Sequence, residues 1–455
     1  MAATGQAIEA PRLPFRTFFG QPPGLAFLAF TEAWERFSYY GMTSLLVLYM
    51  SEALYLPGHL EHVAGFAGFR RVLESVFGHL SPLALASHTN GLYTGFVYFT
   101  PVFGGYVADR WIGRRNAVVL GAVLMSCGHF AMAFDASFLL ALLLLIVGSG
   151  LLKGNISSQV GHLYAEEDGA GRTRGFAIFS TAINIGAVAG PLLCGLLAQI
   201  YGWHAGFGLA GVLMLFGLAT YITGYRYLRE TTRAQRDAEV TTPMSATERR
   251  ILVVLIAVIA LTVFQSISYY QNSNLGLIWI AHNVDLNLFG FSIPVPWFNA
   301  MDSFVSIVSV PVLIALWQRQ AAHGGEPGEI AKIATGAFLA SAGNMVFVIA
   351  SLFGHRVSIL FPVFYAIFLG VGFIYYWPTL LALVSRASPH RLKATMMGCV
   401  FLSLFVSNNI IGWIGGFYEK MSAAEFWAMH AAIAATGGIL ALLLKRWLDR
   451  ELAVD

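Results

Sequence analysis

Charge is what this 455-residue sequence has least of: Asp, Glu, Lys and Arg together make up 11% of it, against about a quarter in soluble proteins. That shortage excludes an ordinary water-soluble domain. A hydrophobic content of 57% and a mean hydropathy of +0.67 point instead to an integral membrane protein. Net charge is also small. A formal +3 is too little to suggest nucleic acid as a partner, so the basic residues are read as topology signals. Cysteine is scarce too: Cys127, Cys194 and Cys399 stand singly in apolar segments with no metal-ligand spacing, and are read as packed, reduced thiols. There is no nucleophile motif, metal set or phosphate loop in a suitable context, so neither an enzyme nor a cofactor is expected.

What the sequence does have is long apolar runs. A twenty-residue ruler finds twelve candidate spans, near 25–52, 89–109, 115–134, 137–164, 175–200, 204–227, 249–281, 296–317, 331–353, 357–385, 393–418 and 424–446. The first is too long and too charged for a cleaved signal peptide and is taken as a spanning helix. An even number puts both termini on one side. About twenty-one of the 27 lysines and arginines fall on that side, and only Arg70, Arg71, Arg356 and Lys420 on the other. The termini are therefore expected in the cytoplasm of a multi-pass inner (plasma) membrane protein. Residues 229–247 are charged and lack an apolar period, which marks a cytoplasmic linker between six-helix halves at 1–228 and 248–455. Residues 55–88 carry His59, His62, His79 and His88 at irregular spacing, poor for zinc, and are expected to be a solvated loop.

The first span is unusual. TEAWERFSYYGM places Glu32, Glu35 and Arg36 in an apolar run, where each charge costs at least about 2.5 kcal/mol without a partner or water. On a helix, residues 32, 35, 36, 39, 40 and 43 share one face, so Glu32, Glu35, Arg36, Tyr39, Tyr40 and Thr43 form a polar stripe. Glu32 can neutralise Arg36 at i+4, but a second acid and two tyrosines exceed that need. A polar interior cavity explains more.

Two motifs add a resemblance. GGYVADRWIGRR, with Gly104, Ala108, Asp109, Arg110, Gly113, Arg114 and Arg115, resembles the G-x-x-x-A-D-R-x-x-G-R-R loop of the major facilitator superfamily. Its small residues allow close helix approach, and its charges can form a network between helix ends. The matching turn in the second half, WQRQAAHGGEPGEIAK, has lost the pattern. The run from Glu32 to Tyr40 resembles the E-x-x-E-R-F-x-Y-Y signature of the proton-dependent oligopeptide transporter family, and the likeness continues through GLLKGNISSQVGHLY, FAIFSTAINIGAVAGPLLCG and LVSRASPHRLKATMMG.

The resemblance implies an all-α membrane protein with twelve helices in two six-helix bundles, importing di- or tripeptides with protons by alternating access. It assigns Arg36 and Lys153 to the peptide carboxylate, Glu32 and Glu35 to proton coupling, and Tyr39, Tyr40, Tyr98 and Asn184 to substrate contact. The partners implied are a small peptide, protons and the lipid bilayer, with the chain working as a monomer. The second half departs from the family. Its seventh-helix acid is replaced by Tyr269 or Tyr270 and its tenth-helix acid by Phe373, whereas Asp302 stands where an asparagine is usual. A lone aspartate in an apolar span is expensive, so Asp302 is expected to face the cavity and to serve the substrate's amino end or a proton; the alternative is an acid kept neutral by Ser303 and Asn299. Glu32, Glu35 and Asp302 against Arg36 and Lys153 would leave one acid in need of a proton. Loss of the tenth-helix acid also allows an organic anion or amino-blocked peptide as substrate, and an exporter remains a further reading.

Overall fold

Helix starts are set here by residues that satisfy or dispense with the free N–H groups of a first turn. In the computed structural model, which describes residues 18–165, 168–228, 245–389 and 392–452, Pro23 opens α1 (Pro23–Tyr49) and Pro82 opens α3 (Pro82–Val107), where the Ser81 hydroxyl accepts from Ala84 N–H. The chain continues through α4 (Arg114–Ala131), α5 (Phe138–Gly161), α6 (Gly169–Tyr201) and α7 (Trp203–Gly224). Most of the expected linker lies outside the described residues. Its last residues are already structured: Ser245 and Glu248 form a capping box, so α8 (Ala246–Tyr270) begins inside the stretch assigned to the linker.

After α8 come α9 (Leu275–Asn283), α10 (Trp297–Ala322), α11 (Glu329–Ser351), α12 (Leu360–Ala387), α13 (Lys393–Gly415) and α14 (Ala423–Leu452). Among the described residues nine helices are long and apolar enough to cross a membrane: α5 to α8 and α10 to α14. The 27-residue α1 carries three charged side chains. Among the described residues the regular structure is helical but for a hairpin of two two-residue strands, Asn287–Leu288 with Phe291–Ser292.

Two expectations need correction. Residues 55–88 are not simply a loop: they contain α2 (Phe66–Phe77), a helix too short for a twenty-residue ruler, which buries Phe66 and Leu73 and sets Phe66 4.9 Å from the ring of Tyr55. His88 already belongs to α3 and is buried. The seventh span is not one helix over 249–281. It breaks after Tyr270 into a 3₁₀ turn, Gln271–Ser273, and resumes as α9.

Helix α1 packs on α6 and α7, α3 and α4 on α5, α11 on α12 and α14, and α8 on α13 and α14. A Cβ at Gly186 would lie 2.4 Å from the carbonyl oxygen of Ala33 and 2.8 Å from Cβ of Arg36. Only glycine lets α6 approach so closely, and this seats the charged turn of α1. Contacts between the earlier and later helices concentrate where α1, α6, α8 and α13 end and α3 and α10 begin, termed here the distal end. There a Cβ at Gly91 would sit 2.5 Å from the carbonyl of Asn408, Trp297 Nε1 donates to Leu192 at 2.8 Å, and Gln199 Nε2 donates to Ser292 at 2.8 Å. Val47 and Leu48 of α1 are buried in one apolar cluster with Leu275, Ile278, Phe298 and Ile414.

Candidate functional site

Burial forces the charges of α1 onto one another. Glu32, Glu35 and Arg36 are 3%, 0% and 9% exposed. The single hydrogen on Arg36 Nε points to Glu32 Oε1 at 2.9 Å, whereas Glu35 Oε2, 2.6 Å from the same nitrogen, is an ionic contact without hydrogen-bond geometry. Both oxygens of Glu35 and Oε2 of Glu32 are therefore buried with no hydrogen-bond partner among the described residues. The charged part of the expected stripe thus meets on one buried turn, with two acids against one arginine.

Lys153 on α5 joins this group from the side. Its ammonium is buried, lies 4.1 Å from the Tyr39 ring centre and 5.4 Å from that of Tyr98, and has no hydrogen-bond partner among the described residues. The aromatic faces stabilise the cation without consuming its three donors. Tyr40 meets Tyr39 edge-on at 5.1 Å. Asn184 on α6 is exposed, and among the described residues no hydrogen bond ties it to this cluster.

The second half contributes Asp302. It is buried on α10, and Oδ2 accepts a 2.5 Å hydrogen bond from the Tyr269 hydroxyl on α8. Asn299, considered as a neighbour able to quiet the acid, instead accepts from Ser273 at 3.0 Å. Tyr269 stacks on Phe373 of α12 with 5.0 Å between ring centres. Tyr269, one of the two seventh-helix tyrosines singled out in the sequence, is thus in contact with Phe373 and holds Asp302. The aromatic route continues from Tyr269 to Tyr270 at 4.9 Å and on to Tyr98 at 6.3 Å, reaching the Lys153 side. Tyr376 is core, hydrogen-bonded to Ser266 at 2.7 Å, whereas Trp377 stacks on Phe373.

The loop between α3 and α4 forms a separate cluster. A Cβ on Gly104 would lie 2.0 Å from the carbonyl of Gly150, so α3 and α5 meet backbone to backbone. Asp109 is 3.1 Å from Arg114 Nε, Arg114 Nη1 lies 3.2 Å from the His162 ring just beyond α5, and the Arg115 guanidinium lies 4.7 Å over Tyr225 beyond α7. Arg110 is exposed, and Gly113 turns the chain at a φ of +79°. These contacts tie together helix ends of the earlier half.

A buried acid–arginine–acid turn with a lysine held by tyrosines concentrates charge inside an apolar bundle, and comparison with known proteins gives the family. A family model described as POT family matches residues 115–244 and 234–431. The chain belongs to the POT family. Among curated POT relatives, a di-/tripeptide transporter of Lactococcus lactis subsp. cremoris is 27% identical, over 95% of this chain and 96% of its own. A peptide transporter of Yersinia enterocolitica is 29% identical, over 94% and 95%. A crystal structure of a POT peptide transporter variant in complex with alafosfalin superposes with a TM-score of 0.83 at 25% identity, covering 97% of this chain and 98% of that one. These relatives are transporters, not enzymes, and the POT family together with the apolar helices makes this a multi-pass membrane protein.

Proposed function

We propose that this chain is a proton-coupled symporter that imports di- and tripeptides, with twelve spans in two bundles, 1–228 and 248–455, rocking about a central site. The observation that carries the reading is the charge group of α1 and α5. Arg36 and Lys153 offer donors to a peptide carboxylate, and Glu32 and Glu35 retain carboxylate oxygens with no hydrogen-bond partner among the described residues. A proton on either acid weakens its hold on Arg36, freeing the guanidinium for substrate and shifting the balance of conformations. With the termini cytoplasmic in the inner membrane, as the lysine and arginine distribution supports, the distal end is the outer one, and its close packing supports a conformation closed to the outside. The network of Asp109, Arg110, Arg114 and Arg115 braces the opposite ends of the earlier bundle.

The test is uptake of a labelled dipeptide by purified protein in liposomes. Accumulation above equilibrium under an inward proton gradient and its collapse without one are expected. Outward pumping, or binding without flux, would overturn the reading. A second substrate class, peptides or organic anions with no free amino group, is favoured by one observation: Asp302 is already engaged by Tyr269. Competition between free and amino-acetylated dipeptides separates the two.

A further inference from the structure

Asp302 sits on α10 and Tyr269 on α8, and their hydrogen bond is, among the described residues, one of two side-chain rungs that tie α10 to α8 and the turn after it. The other joins Ser273, four residues beyond Tyr269, to Asn299, three residues before Asp302. The two rungs straddle the point where α8 gives way to the 3₁₀ turn. The turn is in turn bound to the other half of the molecule. Asn274 Nδ2 donates to the Ser87 hydroxyl of α3 at 2.7 Å, Asn90 Nδ2 of α3 donates to the Ser273 carbonyl at 3.5 Å, and Ser87 donates to the Gly412 carbonyl of α13 at 3.3 Å. A run of hydrogen bonds therefore leads from a buried carboxylate in the later half to the contact that closes the distal end. Among the described residues, Tyr269, Tyr40 of α1 and Tyr365 of α12 lie within electrostatic reach of Asp302.

We propose that Tyr269 is a positioning residue that couples Asp302 to closure of the distal end through the broken seventh helix. While Tyr269 donates to the carboxylate, the turn 271–273 is held against α10, and Asn274 and Ser273 are presented to α3. When Asp302 takes another partner, the Tyr269 rung is released and the turn is freed from α10 at one of its two fixings. Phe373 keeps the Tyr269 ring in place by stacking, so the hydroxyl rather than the ring carries the coupling. The proposal rests on the transporter reading of the site for its direction, but not on the identity of the substrate.

Two measurements separate it from that reading. The first needs no substrate: a cysteine at Ala84, buried in α3 at the distal end, is labelled in whole cells with a membrane-impermeant maleimide, and labelling of the native cysteines is subtracted using the parent protein. Tyr269→Phe keeps the stacked ring and should raise labelling about threefold, as should Ser273→Ala. Asp302→Ala should do the same, and adding Tyr269→Phe to it should change nothing more, because contacting groups in one network are not additive. The second is dipeptide uptake, in which Tyr269→Phe should lower Vmax about fivefold and leave KM within about twofold. Labelling equal to the parent in Tyr269→Phe, or effects of Tyr269→Phe and Asp302→Ala that multiply, would overturn the coupling. Absence of peptide uptake in the parent, alongside the expected labelling pattern, would overturn the peptide reading and leave the coupling standing.

Discussion

At Arg36 both acids lie against the Nε, which carries a single hydrogen, and the geometry divides the work unequally: Glu32 receives the directed bond and Glu35 only the charge. Truncating one partner of a buried ion pair usually costs about 3–5 kcal/mol, because the other charge is stranded, so glutamine, which keeps shape and an acceptor, is the informative change. Glu32→Gln and Glu35→Gln should each abolish gradient-driven uptake while leaving some counterflow between compartments of equal pH, and unchanged accumulation in both would exclude proton coupling through this turn. Arg36→Lys retains the charge but loses the planar fork, so KM for dipeptides should rise roughly tenfold or more in uptake titrations. The α1 group was legible in the sequence because i, i+3 and i+4 spacing places side chains together without tertiary knowledge. The Tyr269–Asp302 bond was not, since its partners are 33 positions apart on different helices. Asp302 and the tyrosine pair at 269 and 270 were each visible as a departure, but only packing shows that Tyr269 is the one bonded to Asp302. If Asp302 serves the amino end, Asp302→Asn should weaken uptake of free dipeptides much more than that of amino-blocked analogues; equal loss of accumulation for both marks it as a proton carrier.

Helices were legible to the extent that apolar length defines them. The twenty-residue ruler found the long elements because a membrane core demands that length, and it passed over α2, whose 12 residues lie below its resolution. It also ran through the break at residues 271–273, because the apolar sequence resumes at once in LGLIWIA and hydropathy carries no record of a turn. The polar residues there were visible, but which helices they would bond was not. Outside the spans, α2 is tied down at its C-terminal end by Glu74, which accepts from the Leu80 N–H, from Arg70 and from His79. The Leu80 amide and then Arg70 hold its carboxyl down at about 2, below the ordinary 4.5. A lowered carboxyl stabilises the fold above the unfolded value and loses that contribution as pH falls through the folded one. The protection of the Leu80 amide against hydrogen exchange, relative to an unfolded amide at the same pH, should therefore hold at pH 4 and fall toward pH 2, whereas Glu74→Ala should be poorly protected at both. A Leu80 amide equally fast in the parent at pH 4 would remove Glu74 as the anchor.

Across the whole molecule, the contacts between halves gather at one end, and a transporter that works by alternating access must be able to undo them. The distal closure is made largely by α3 against α13, where glycines bring the backbones together, and just past α13 Gly416 faces α3. A Cβ built on Gly416 would stand 3.8 Å from Cβ of Ala84, the mean separation, about 3.8 Å, found across disulfides. Gly416 has a φ of −66°, open to any residue, and a side chain there presses on backbone only at the Trp413 carbonyl, 3.3 Å away. The double variant Ala84→Cys, Gly416→Cys should therefore oxidise readily to a cross-link that fastens the distal end. If the two halves rock, the oxidised protein cannot open outward: uptake should fall to background, bound substrate should still be released toward the opposite side, and a reductant should restore activity. Each single cysteine variant, together with the native Cys127, Cys194 and Cys399, controls for chance pairing. Uptake that persists in fully oxidised protein would mean that the α3–α13 contact does not part during transport, and the two-bundle rocking scheme would have to be abandoned for one in which smaller segments, such as α9 and the turn before it, do the gating.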